Sequence, residues 1–273
     1  MPATAEKVAT FRSLHIPGAP LFSPNPWDAG SARILEGLGF KALATTSSGF
    51  ALTLGRRDYG VTRGDVMAHA RLVAHAVDIP VSADLENGFG PSADDTAETI
   101  RLAAETGLAG GSIEDSTGDE AAPVFDRALA VERVAAAAEA GRRSPNGFVL
   151  TARAEAFLYG RGDLGEIISR LNAFAEAGAD ILFAPGLPDM AAVKAVCSSV
   201  AKPVNVLIYG ALAEQPLEAF AKAGAARLSI GGGFAWPAYG ALVEIAESIK
   251  VTGGFSALKS HAIGAAKARK FLR

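Results

Sequence analysis

The chain reads as an α/β protein, a closed (β/α)8 TIM barrel in one domain, on three observations. Eight short β-rich runs recur roughly every 30 residues. Segments with helical spacing, rich in Ala, Glu and Leu, separate them. Several of those segments end in a glycine followed at once by the next run, as in Glu176-Ala177-Gly178-Ala179-Asp180 and Lys222-Ala223-Gly224-Ala225, the residue with which helices commonly stop. Strict alternation of this kind means βα units and a parallel sheet. Eight units in 273 residues fit a closed barrel of about 250 residues better than an open doubly wound sheet.

In order, the predicted strands run from Pro20 to Ser23, Ala42 to Thr46, Pro80 to Asp84, Gly110 to Asp115, Phe148 to Arg153, Ile181 to Pro185, Pro203 to Leu207 and Arg227 to Ile230. The clearest predicted helices span Asp94 to Thr106, Asp126 to Gly141, Asp163 to Ala177 and Glu214 to Ala223. After the eighth strand come Gly231-Gly232-Gly233 and a helix near Tyr239 to Lys250. Residues 254–273 then form one helix more than a barrel needs, from Ala257 to Arg273, as a C-terminal extension of the 1–273 domain.

Composition narrows the function. With 49% apolar residues the chain can bury a large core, and its net charge of −3 with scattered Lys and Arg gives no basic patch for nucleic acid. No apolar stretch approaches the roughly 20 residues that span a bilayer, and the N-terminus lacks a signal core, so no membrane partner and a cytoplasmic location are expected. A single cysteine, Cys197, excludes an internal disulfide framework.

Polar residues at the C-terminal ends of barrel strands carry most weight, because that face holds the active site of such folds. Strand one ends near Asn25 to Asp28 and strand two near Thr45-Thr46-Ser47-Ser48-Gly49-Phe50. Strand three ends in Asp84-Leu85-Glu86, and residues two apart on a strand share a face, so both carboxylates can point at one ion. Strand four ends in Glu114-Asp115. Two successive strand ends thus offer up to four hard oxygen ligands, a set that suits Mg²⁺ with several waters and a chelating substrate. Capping of the following helices is the other use of such acids. Strand five brings Arg153 and Glu155, and strand seven Asn205. The planar fork of Arg153 suits an anionic group, with an ion pair to Glu155 or Glu114 as the alternative. The turn Ser47-Ser48-Gly49 offers backbone N–H groups to a second anionic oxygen.

Absences count as well. No lysine stands at a strand's C-terminal end, which argues against a Schiff-base aldolase. His15, His69, His75 and His261 all fall away from the strand ends, and Cys197 closes a helix at the opposite face, so none is expected to act as base or nucleophile. Gly231 to Gly233 sit where some barrels bind phosphate, but no Gly-Lys-Ser/Thr follows.

With these residues in place the chain resembles the isocitrate lyase/phosphoenolpyruvate mutase superfamily from about Pro24 to Gly232. The resemblance rests on Ser48-Gly49-Phe50, Leu54-Gly55-Arg56-Arg57-Asp58, Ala83-Asp84-Leu85-Glu86-Asn87-Gly88-Phe89-Gly90, Ser112-Ile113-Glu114-Asp115, Thr151-Ala152-Arg153-Ala154-Glu155-Ala156 and Glu176-Ala177-Gly178-Ala179-Asp180. It implies a (β/α)8 barrel whose last helix swaps onto a partner in a homodimer or homotetramer. It makes Asp84 the principal ligand of Mg²⁺, or of Mn²⁺ in its place, with Asp58, Glu86 and Glu114 acting directly or through water. Ser48, Gly49 and Phe50 match the segment that holds a substrate carboxylate or oxyanion, Arg153 the arginine that binds an anionic group, and Asn205 a polar contact on strand seven. Family chemistry breaks or forms a C–C or P–C bond of a small 2-oxo or 2-hydroxy carboxylate through a Mg²⁺-stabilised pyruvate enolate.

Two departures refine the expectation. The usual Asp-x-Asp is Asp84-Leu85-Glu86 here, one methylene longer with the charge kept. The loop from Ser116 to Phe125 carries neither the Lys-x-Cys-Gly-His motif of isocitrate and methylisocitrate lyases nor the catalytic lysine of the mutases. The expected function is therefore a Mg²⁺-dependent lyase of the oxaloacetate-decarboxylase type, and not a Cys-dependent isocitrate or methylisocitrate lyase. Asp58 and Arg153 are expected in its catalytic centre, with Asp119, Glu120 or Tyr159 as candidates to protonate the enolate under a lid formed by Ser116 to Phe125. Retro-aldol or retro-Claisen cleavage of a substituted malate, a phosphonopyruvate P–C bond enzyme and a non-catalytic 2-oxo acid binding protein remain the alternatives.

Overall fold

The computed structural model describes residues 3–272. Each of the eight predicted runs contains a strand: β1 (Leu21–Phe22), β2 (Leu43–Ala44), β3 (Val81–Asp84), β4 (Gly110–Glu114), β5 (Val149–Arg153), β6 (Ile181–Phe183), β7 (Val204–Leu207) and β8 (Arg227–Ser229). All pair in parallel, in the spatial order β1-β8-β7-β6-β5-β4-β3-β2. The remaining junction, between β1 and β2, is closed just beyond the strands. Ala44 N–H donates to the Pro24 carbonyl at 3.1 Å, and Asn25 Nδ2 donates to the Thr45 carbonyl at 3.0 Å. Asn25 Oδ1 also accepts from Ile230 N–H at 2.9 Å, so one side chain ties β1, β2 and β8 together.

The strands read as apolar runs because helices cover the outside of the sheet and side chains fill its inside. The helices are α1 (Thr4–Ser13), α2 (Ala29–Gly37), α3 (Ser47–Thr53), α4 (Arg63–Ala76), α5 (Ala93–Ala104), α6 (Arg127–Arg143), α7 (Leu164–Glu176), α8 (Met190–Ser199), α9 (Leu217–Ala223), α10 (Ala235–Thr252) and α11 (His261–Arg269). Asp28, Thr62 and Ser92 begin α2, α4 and α5 with reciprocal capping boxes, each worth about 1 kcal/mol. Gly224, in left-handed backbone, ends α9 as its sequence position predicts.

Three boundaries differ from expectation. The helix placed from Glu214 starts at Leu217, because Pro216 separates it from a 3-10 turn over Gly210–Glu214. The helix expected near Tyr239 begins at Ala235, with Pro237 in the first turn, where a missing N–H costs nothing. The terminal segment splits into a 3-10 turn, Ser256–Ser260, and α11; Arg273, its expected last residue, and residues 1 and 2 of the expected domain lie outside the described residues.

No prediction covered α1. Its Val8 and Phe11 bury against Leu21, Ala42, Ala109, Val149 and Ile181, all at strand starts, and so plug the N-terminal mouth of the barrel. The interior is therefore approached from the strands' C-terminal ends.

Candidate active site

A cavity of about 200 Å³ opens at those C-terminal ends, between the ends of β2 to β5 on one side and β7 and β8 on the other. Asp58, Asp84 and Arg153 line it, as do Ser48, Asn205, Ser229 and Arg227. A larger groove of about 810 Å³ lies outside the barrel, between α5 and α6, over small residues such as Ala97, Ala104, Ala136 and Ala140. Its charged rim is occupied by ion pairs within the helices, so the chemistry belongs to the smaller cavity.

Asp84 closes β3, and Glu86 follows in left-handed backbone (φ +48°). Glu86 is thus no longer on the strand, and strict two-residue alternation does not govern it. Instead Asp84 Oδ1 accepts the Glu86 N–H at 3.2 Å, which turns the chain back on itself. Among the described residues the non-glycine positions with left-handed backbone are Tyr59, Glu86 and Phe89, all in the loops around these acids. Such positions cost of order 1–3 kcal/mol each and persist where surrounding contacts impose them. Arg133 holds the segment that follows Glu86: almost fully buried on α6, it donates to the carbonyls of Asn87, of Gly90 at 2.7 Å and of Ser92 at 3.2 Å.

Arg153, at the end of β5, meets three carboxylates: Asp84 at 3.0 Å, Glu114 at 3.2 Å and Glu155 at 2.9 Å. Both alternatives weighed for it thus involve the same side chain, and its fork is filled by acids of the chain itself. Tyr59 donates from its hydroxyl to Glu114, and that hydroxyl lies 3.4 Å from the Tyr159 hydroxyl, which is 3.0 Å from Ser116 Oγ.

One guanidinium does not neutralise this many acids. Burial, then Asp84 and Asp58, pushes Glu86 up to about 8, and one of its oxygens is buried without a partner. Burial and then Asp84 raise Asp58. Burial lifts Glu114 well above the carboxylate range despite Arg153 beside it, and burial likewise raises Glu155. Acids that raise one another in this way lack a positive charge.

Asp115 departs from expectation. It is buried, but as the neighbour of Glu114 it faces away from the cavity. It pairs with Arg170 of α7 at 3.2 Å and accepts the Glu155 N–H at 2.8 Å, and burial raises it to about 6. The strand-four end thus contributes one acid to the cluster, and Asp115 ties the base of the 116–125 loop, since Arg170 also donates to the Phe125 carbonyl at 3.1 Å.

Other predicted residues scatter. Ser48 lines the cavity, but Ser47 to Phe50 form the first turn of α3, not an open turn. Gly49 is set by packing: a Cβ there would stand 2.6 Å from Thr46 Cγ2 and 3.2 Å from Ala235 Cβ. Phe50 stacks on buried His69 at 4.0 Å. Asp119 and Glu120 are exposed, with Asp119 Oδ1 accepting Ala121 N–H in its own loop. Among the described residues, Tyr159 reaches the cluster through Tyr59. Sequence reasoning missed Tyr59 and Arg227. The signal for Arg227 was a charge inside a run destined for burial on both faces.

A sequence model of the phosphoenolpyruvate phosphomutase family matches residues 11–250. The chain belongs to that family. It is 30% identical over 219 residues to 2-methylisocitrate lyase of Escherichia coli K12, covering 73% of each chain. Among solved structures, a Burkholderia cenocepacia J2315 protein described no further than lyase/mutase shares 45% identity and a TM-score of 0.92 over 99% of this chain and 97% of that one. Oxaloacetate acetylhydrolase in complex with oxalate gives 25% and 0.86 over 98% and 94%. 2,3-Dimethylmalate lyase gives 26% and 0.81 over 94% and 90%. The chain is accordingly a lyase/mutase of this superfamily, with the expected barrel.

Proposed function

We propose that this protein cleaves a C–C bond of a small 2-oxo or 2-hydroxy dicarboxylate, with oxaloacetate-type decarboxylation as the leading reaction. The observation that carries this reading is the pair of acids lining one small cavity, Asp58 and Asp84, with Glu86 raised by both of them beside it. Among the described residues no three acids or imidazoles converge as a ready-made cage. Mg²⁺ needs none, since it commonly uses one or two carboxylates and completes its shell with water and substrate. The all-oxygen donors and the orphaned oxygen of Glu86 fit such an ion, with Asp84 and Asp58 at the cavity and Glu86 and Glu114 acting directly or through water. When bound, Mg²⁺ or Mn²⁺ would supply Lewis acidity at the substrate's 2-oxygen.

The chain's own residues do the rest. Arg153 orients Asp84 and Glu114. The Ser48 hydroxyl, on the cavity wall, is placed to donate to a substrate oxygen. Loss of CO2 leaves the electron pair of the broken bond on C3, which then takes up a proton; the Tyr59–Tyr159 hydroxyl pair, joined to the acid cluster through Glu114, is our candidate donor ahead of the solvent-exposed Asp119 and Glu120. The loop lacks Cys, so we read the activity as distinct from that of the methylisocitrate lyases it resembles. Exposed Leu242, Val243, Val251, Phe255 and Ile263 near the C-terminus support a homodimer or homotetramer.

The test is to offer metal-free protein a panel of 2-oxo and 2-hydroxy dicarboxylates, 2-methylisocitrate and phosphonopyruvate, with and without Mg²⁺, and to follow pyruvate, glyoxylate and oxalate. Metal-dependent release of pyruvate from oxaloacetate is expected. Release from 2-methylisocitrate alone would overturn the assignment, and binding across the panel without release would make the protein a binder of 2-oxo acids.

A further inference from the structure

The cavity is lined by a second buried arginine whose situation is the reverse of Arg153. Arg227 opens β8 and is 3% exposed. Its Nε donates to Asn205 Oδ1 at 2.8 Å and its Nη2 to Thr151 Oγ1 at 3.4 Å, while Nη1 is buried with no partner. Among the described residues no carboxylate pairs with it. Burial and Arg153 pull its pKa down to about 9, and no acid pulls the other way. A charge held in this way is costly unless something anionic completes it. Beside it, Ser229 Oγ accepts from Asn205 Nδ2 at 3.0 Å, which leaves the hydroxyl proton of Ser229 free at the cavity wall. Asn205, expected as a substrate contact, lines the cavity and engages Arg227 through its oxygen and Ser229 through its nitrogen, so it also positions both.

We propose that Arg227 and Ser229 seat a carboxylate, so that the site selects a dianionic acid with one end at the acid cluster and the other on Arg227. This rests on the cavity being the substrate site. Its volume of about 200 Å³ equals roughly seven waters at about 30 Å³ each, room for a short diacid. A monocarboxylate can fill one of these two places but not both.

The test titrates malonate and acetate into the parent protein, R227Q and R227K, with Mg²⁺ and with EDTA, by calorimetry and thermal denaturation. The parent is expected to bind malonate saturably, at least tenfold more tightly than acetate, and to melt higher with it. R227Q should lose at least tenfold in malonate affinity, and empty R227Q should melt no lower than the parent, because the charge removed was unpaired. If R227Q does not fold, R227K decides, since it keeps the charge but loses the fork and should bind malonate more weakly. No saturable malonate binding by the parent, or unchanged affinity in the folded variant, overturns the proposal. Malonate binding that depends on Arg227 in a protein that cleaves nothing would sink the lyase reading alone. Metal-dependent cleavage that R227Q performs unchanged would sink this inference alone.

Discussion

The two walls of the cavity solve opposite electrostatic problems. On the β3–β5 side, Asp84, Glu114 and Glu155 pair with Arg153 beside Asp58 and Glu86, and burial, then neighbouring acids, raises Asp58, Glu86, Glu114 and Glu155. On the β7–β8 side, Asn205 and Ser229 surround an arginine that pairs with no acid among the described residues. Either wall alone looks like a folding defect, since buried charges are normally paired. On the function proposed above, the two walls together suit a metal-chelating diacid, which brings a cation to one side and an anion to the other. The difference teaches that the balance of charge, more than the count of acidic residues, distinguishes the two walls of this cavity.

The largest effect expected from breaking that asymmetry is on turnover. Asp84→Ala removes the acid that touches the cavity, Arg153 and the Glu86 turn at once, and should lower metal-dependent kcat/KM by about 10³-fold, the scale of losing one preorganised electrostatic group. Full metal-dependent activity in this variant would remove Asp84 from the mechanism.

Asp115 and Glu114 sharpen the comparison, because they are neighbours with opposite duties. Asp115→Asn breaks a buried pair with Arg170 and should cost about 3 kcal/mol, or roughly 6–12 °C in Tm. Glu114→Gln relieves repulsion and should leave Tm level or higher while activity falls. Thermal denaturation of both variants decides; equal losses would mean that the acid cluster is structural.

The hydroxyl chain is the next test. If Tyr159 passes a proton, Tyr159→Phe lowers kcat by about 10²-fold at unchanged KM. Asp119→Asn and Glu120→Gln should each stay within about twofold, because both acids face solvent in the loop. A tenfold or greater loss on neutralising either acid would restore it as the donor.

How much of this was readable beforehand follows from where each signal lives. The eight strands were legible because a parallel strand covered on both faces must be an apolar run, and Val149 to Ala152 or Ile181 to Phe183 can be little else. Asp84, Glu114 and Arg153 were legible as charges at strand ends. Asp115 was not legible as a structural acid, because the two-residue alternation that turns it away from Glu114's side needs the strand's exact end, and Glu86 leaves its strand altogether. Tyr59 depends on a left-handed loop residue that no local pattern announces, and α1 on a plug whose partners are spread from Leu21 to Ile181. Arg227 went unseen because it stands at a strand's start, where only the length of its side chain brings it to the cavity.

The last prediction separates the two regions by the sign of their pH dependence. Glu86 rises from 4.5 to about 8 on folding, so between those values the folded protein keeps a proton that the unfolded chain has lost. That contribution is complete below about 4.5 and disappears as pH rises through 8. Below Arg227, His15 is driven down from 6.5 to about 3 by burial, then by Arg227, with Arg12 adding less. There the unfolded chain takes up the proton first, so the contribution is complete above 6.5 and is lost as pH falls toward 3. The metal-free protein should therefore lose Tm on both sides, by two independent mechanisms. Glu86→Gln should flatten only the alkaline limb and His15→Gln only the acid limb, and Mg²⁺ should flatten the alkaline limb of the parent, because a bound cation removes the reason for Glu86 to hold its proton. A Glu86→Gln profile that still falls through pH 8 would place the missing charge elsewhere in the cluster.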